Sequence, residues 1–104
     1  MNNAIVWDER LSIAIPVLER DWEEYSVSER EAIVERWELI RGSIPARVFL
    51  LEQEINRKQT ELFNEDDFGR SCQINSEIAE LASQINDLLI WYRVDQEIEP
   101  RRHR

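Results

Sequence analysis

The chain has 104 residues and one cysteine, and carries a formal charge of −9 from 22 acidic and 13 basic side chains. That length suits a single domain. The acidic balance repels phosphate backbones, so nucleic acid is not an expected partner, and the lone Cys72 excludes an intramolecular disulfide or a cysteine-built zinc site.

Met1-Asn2-Asn3-Ala4 lacks the basic start and apolar run of a signal peptide. No apolar run approaches the ~20 residues that span a bilayer. A cytoplasmic protein with no membrane partner is expected. Two glycines and three prolines are few for a sheet protein full of tight turns, whereas the abundance of Glu, Arg, Leu and Ile suits long helices. The expected fold is therefore all-α: an antiparallel, coiled-coil-like hairpin of two long helices with shorter N-terminal helices packed on it. Residues 1–99 would form this four- to five-helix bundle.

In chain order, Trp7, Leu11, Ala14, Leu18, Trp22 and Tyr25 are spaced 4, 3, 4, 4 and 3 apart, one continuous helical stripe. Pro16 interrupts it. Because proline lacks the amide hydrogen and clashes with the preceding turn, the stripe predicts helices near 3–13 and 16–25, or one kinked helix. Ser26 with Glu29 and Ser28 with Glu31 both fit a capping box, which predicts a helix over about 28–41 burying Ile33, Trp37 and Ile40. Gly42 is expected to end it in the left-handed conformation.

Ser43-Ile44-Pro45 predicts the start of a helix over 44–63, with Ser43 as cap and Pro45 in the first turn. Its seam is Ile44, Val48, Leu51, Ile55 and Leu62, widened by Phe49 and Leu50. Asn64-Glu65-Asp66-Asp67 forms an acidic turn, and a last helix over 67–98 carries Ile74, Ile78, Leu81, Ile85, Leu88 and Tyr92 at coiled-coil spacing. Ile44 then falls opposite Asp87. Everything beyond overhangs, which makes Leu88, Leu89, Trp91, Tyr92 and Ile98 candidates for self-association, with a homodimer as one outcome. Residues 100–104 form a basic tail expected to be disordered.

Chemistry-bearing constellations are sparse. The single histidine, His103, lies in the tail, so neither a bundle metal site nor a Cys72 or serine nucleophile finds a partner. Gly42 and Gly69 are isolated and make no phosphate-binding loop. No cofactor, metal or enzymatic activity is expected.

The segment Asp67-Phe68-Gly69-Arg70-Ser71-Cys72-Gln73-Ile74-Asn75-Ser76-Glu77-Ile78-Ala79-Glu80-Leu81 resembles the second half of a UVR motif, and Leu51-Glu52-Gln53-Glu54-Ile55 resembles its start. The matching features are Asp67-Phe68 at the turn, the small pair Ser71-Cys72, and Ile74, Ile78 and Leu81. The resemblance, confined to about residues 51–81, implies a helical hairpin that binds protein and docks or self-associates through its aromatic end. Phe63, Asp67, Phe68 and Arg70 are the candidate contacts at that tip, since exposed aromatics anchor and flanking charges select. The expected function is a noncatalytic interaction or adaptor protein with a protein partner. The alternative is an acidic mimic that competes for a nucleic-acid-binding protein.

Overall fold

A computed structural model of the chain describes residues 4–94. Two short strands, β1 (Ile5–Asp8) and β2 (Ile13–Pro16), precede a 3₁₀ turn at Trp22–Glu24 and three helices, α1 (Val27–Arg41), α2 (Ile44–Phe63) and α3 (Phe68–Tyr92). The expected all-α bundle of four or five helices is thus incorrect: the fold is mostly helical but opens with a two-stranded antiparallel sheet.

The helices expected near 3–13 and 16–25 are replaced by this β-hairpin and the 3₁₀ turn. Ile5 pairs with Pro16, Val6 with Ile15, Trp7 with Ala14 and Asp8 with Ile13. Most of these residues are β-branched or aromatic, side chains that suit an extended, half-buried strand. The turn between them is fixed by Asp8: its carboxylate accepts the Leu11 N–H at 2.8 Å, and its carbonyl accepts the Ser12 N–H at 2.8 Å. Ser12 sits at φ 59°, a left-handed conformation that no α-helix passes through. Pro16 ends β2, a position where its missing donor costs little. The helical stripe was a coincidence of spacing, because Leu11 is buried in the turn while Trp7 points to solvent.

Beyond the 3₁₀ turn, Arg30 ties the segment to α1, its Nε donating to the Trp22 carbonyl at 3.1 Å. Of the two possible capping boxes, Ser26 and Glu29 form theirs. The Ser26 hydroxyl accepts the Glu29 N–H at 3.1 Å, and the Glu29 carboxylate accepts the Ser26 N–H at 2.8 Å. The helix accordingly begins at Val27.

Gly42 departs from expectation. Its φ of −63° and ψ of −18° are right-handed helical, and Ser43 follows at φ −87°, ψ −9°. Ser43 also caps nothing at the start of α2; its hydroxyl donates backwards to the Ile40 carbonyl at 2.6 Å. α1 and α2 therefore form one long bent helical run from Val27 to Phe63. Pro45 lies in the first turn of α2, where no intrahelical donor is required.

The bend decides what covers the overhang of α3. It brings α1 against the end of α3 at two points, where Trp37 packs edge-on to Trp91 at 5.8 Å between ring centres and Arg41 donates to the Tyr92 carbonyl at 2.9 Å. Trp37, Ile44 and Leu88 are fully buried there, joined by Leu11, Ile13, Trp22, Tyr25 and Ile33. The core thus fills one end of a body 59 Å long. The other end is a bare two-helix projection. α3 stops at Tyr92, earlier than the 98 expected, and its cap residue Arg93 bonds back to the Ile90 carbonyl at 3.1 Å. Ile98 and the basic segment 100–104 lie outside the described residues. Among the described residues, no helix is long and apolar enough to cross a membrane.

Candidate interaction surface

Charged side chains of α2 and α3 are concentrated along one side of the hairpin. Arg10, at the tip of the β-hairpin, reaches three groups on α3. Its Nε lies 2.8 Å from Glu80, its Nη1 2.7 Å from Asp87, and its Nη2 donates to the Ser83 hydroxyl at 2.7 Å. Further along, Lys58 bridges to Glu77 at 2.9 Å, and Arg70 bridges to Glu61 at 2.8 Å and Glu77 at 3.8 Å. Arg57 pairs with Glu54 within α2. These contacts depress the carboxyls: Glu77 below its ordinary value of 4.5 by its bond from Lys58, and Glu80 by bonds from Gln84 and then Arg10. Exposed ion pairs are individually weak. Here they fix which side of the hairpin the β-hairpin lies on.

Helix geometry extends this to every charge. Successive residues turn by about 100°, so positions can be placed relative to the seam defined by Ile44, Val48 and Leu51 on α2 and by Ile74 and Leu88 on α3. The two helices run antiparallel, so equal rotations past the seam emerge on the same side of the hairpin. Arg47, Glu54, Arg57, Lys58 and Glu61 of α2 share a side with Arg70, Glu77, Glu80 and Asp87 of α3. Glu52 is the single charged side chain of either helix on the opposite side. That opposite side carries Phe49, Phe63, Phe68, Ala79, Ala82 and Leu89, all exposed, interspersed with the uncharged polar side chains of Asn56, Gln59, Asn75 and Asn86.

At the tip, the four sequence candidates divide into two pairs. Phe63 and Phe68 are 89% and 81% exposed and flank the turn on the charge-poor side. Asp67 caps α3, accepting the Arg70 N–H at 2.8 Å, and the Arg70 guanidinium is engaged by Glu61. The phenylalanines are therefore free to dock, whereas Asp67 and Arg70 hold the tip in shape.

The self-association candidates divide as well. Leu88 is fully buried within the chain, Trp91 is half-buried against Trp37, and the Tyr92 ring lies under the Arg41 guanidinium at 4.8 Å. Leu89 remains exposed. Ile98 is outside the described residues. Sequence reasoning missed Phe49, 56% exposed and on the same side as the tip aromatics, treating it only as a widening of the α2 seam. Plotting charges on a helical projection would have singled out its side, since the clearing of charge is visible without coordinates.

Glu54, Glu61, Glu77, Glu80 and Asp87 are held by Arg57, Arg70, Lys58 and Arg10 and do not converge on a shared centre. Among the described residues, no group of three or more metal-capable side chains could hold an ion. Cys72 is a free, exposed thiol. No family model, curated protein or solved structure matches the chain.

Proposed function

We propose that the chain is a noncatalytic interaction protein that docks another protein through the tip of its helical hairpin. The observation carrying this reading is the pair Phe63 and Phe68, two large apolar side chains held almost wholly in water at the end of a rigid projection. Neither contributes to the core, and buried aromatic anchors are what dominate binding at protein interfaces. The resemblance of residues 51–81 to the UVR hairpin supports the same reading. The turn residues Glu65 and Asp66 lie between Phe63 and Phe68 in the chain and would bias the choice of partner by charge. The acidic-mimic alternative draws less support, because the shaft carboxylates are paired with Arg and Lys and do not form an unpaired, phosphate-like row.

Crosslinked capture from native-host extract tests the proposal. Partners held by the unaltered chain should be lost from a Phe63→Ala/Phe68→Ala double variant that keeps its helical circular dichroism. Retention of every partner by that variant would remove the tip from consideration.

A further inference from the structure

We infer that the protein docked by the tip is basic where it meets this chain: an apolar recess that takes Phe63 and Phe68, rimmed by Lys and Arg that meet Glu65, Asp66 and Asp67. The inference rests on the reading of the tip as a docking element and names the chemistry of its partner.

The two rings cannot be covered without involving the carboxylates between them. Phe63 ends α2 and Phe68 begins α3, and of the four residues that join them three are Glu65, Asp66 and Asp67. A partner that buries both rings therefore draws water away from three successive negative charges. Leaving such charges uncompensated at an interface is strongly unfavourable, and like charge set against them is worse.

The chain does not compensate them itself. Arg70, the cation nearest in sequence, is engaged by Glu61 at 2.8 Å and Glu77 at 3.8 Å. Lys58 on the other helix is engaged by Glu77 at 2.9 Å and Glu54 at 3.8 Å. Among the described residues, none of the three turn carboxylates is ion-paired.

The turn also holds its charges in place. The Glu65 carboxylate accepts the Asp67 N–H at 3.1 Å, and the Asp67 carboxylate accepts the Arg70 N–H at 2.8 Å. The Asn64 side-chain amide donates to the Thr60 carbonyl at 3.0 Å. Each carboxylate keeps lone pairs for a further donor, and a turn already ordered loses little freedom on binding. Asp66 is exposed, and among the described residues its side chain makes no hydrogen bond. Folding leaves its charge unused.

The same charges select the class of partner. They repel phosphate backbones and anionic lipid surfaces, and they attract Lys and Arg at the rim of a protein recess. Packed helices lie about 8–10 Å apart, so the recess needs two apolar pockets at roughly that spacing.

Native-host extract passed over the immobilised full chain at low salt supplies the probe: a retained protein, purified and titrated by fluorescence anisotropy. Three chains are compared: unaltered, Phe63→Ala/Phe68→Ala, and Glu65→Gln/Asp66→Asn, which spares Asp67 as the cap of α3. At about 0.05 M NaCl, where charges act over more than about 10 Å, Glu65→Gln/Asp66→Asn should bind at least about tenfold more weakly. At about 1 M NaCl, where that length falls to about 3 Å, the difference should shrink below about twofold. Equal affinity of the unaltered chain and Glu65→Gln/Asp66→Asn at low salt overturns the inference, and so does tighter binding once the carboxylates are removed. If Phe63→Ala/Phe68→Ala still abolishes binding in either case, the tip reading stands without it. Retention of every captured protein by Phe63→Ala/Phe68→Ala, or of none by the unaltered chain, overturns both.

Discussion

Half a turn around the hairpin axis changes the character of both long helices. On one side α3 presents Glu77, Glu80, Ser83 and Asp87, each engaged by Lys58 or Arg10, with Trp91 packed on Trp37. On the other it presents Phe68, Ala79, Ala82 and Leu89 to water. The same helix thus serves a packed side that holds the molecule together and a bare side that stability does not require. In a chain that is 34% charged, a charge-poor surface along the whole length of a hairpin is what solubility alone would disfavour.

The sharpest contrast lies at the packed side. Trp37→Ala should cost about 3–5 kcal/mol, a large share of the roughly 5–15 kcal/mol that holds a domain of this size, because the indole is fully buried where α1, α2 and α3 meet. Urea denaturation followed by circular dichroism reads this directly. A cost under about 1 kcal/mol would show that the bend at Gly42 does not anchor the fold.

Adjacent leucines make the comparison within one turn of α3. Leu88→Ala should cost about 2–5 kcal/mol, because it leaves a cavity. Leu89→Ala, one residue on and exposed, should stay within about 0.5 kcal/mol in the dilute chain. Equal costs would erase the distinction between the two sides.

Ser26→Ala should cost about 1 kcal/mol by removing the acceptor for the Glu29 N–H. The effect belongs to α1, and the hairpin tip should show it only through global stability.

Acid gives the smallest and broadest effect. Glu29, Glu54, Glu77 and Glu80 all hold their carboxyls below the ordinary 4.5, through Ser26, Arg57, Lys58 and Gln84 with Arg10, respectively. Groups with depressed folded values contribute stability that is present above the unfolded value and lost as pH falls through the folded one. Thermal midpoints should therefore hold from neutrality to about pH 5 and decline below 4.5, with an Arg10→Gln variant losing part of that decline. A midpoint that rose steadily on acidification would mean that relief of the −9 self-repulsion outweighs the paired carboxylates.

Where local chemistry dictates conformation, the helices were legible in the residues. Ser26 with Glu29, Pro45 in the first turn of α2, and Asp67 before α3 each satisfy or spare backbone donors at a helix start. The N-terminal strands were not legible, because Trp7, Leu11, Ala14 and Leu18 mimic a helical stripe. The contrary signal was the pair of short β-branched runs, Ile5-Val6 and Ile13-Ala14-Ile15, separated by a turn that only Asp8 and a left-handed Ser12 can close. Gly42 misled for a different reason: glycine tolerates the left-handed region but does not require it. Packing of Trp37 against Trp91 favours continuing the helix, and that tertiary preference is invisible locally. At the tip, Phe63 and Phe68 were legible as exposed aromatics, while the bracing of Arg70 by Glu61 depends on a partner that only the fold brings near.

The claim that the two sides of the hairpin do different work is most directly met by backbone NMR spectra of the unaltered chain titrated with a partner captured from native-host extract. Resonances of Phe63, Phe68 and their neighbours in the turn should move while those of Glu80, Ser83 and Asp87 stay fixed. Movement confined to the Arg10 side, or none at all on saturation with the partner, would contradict it.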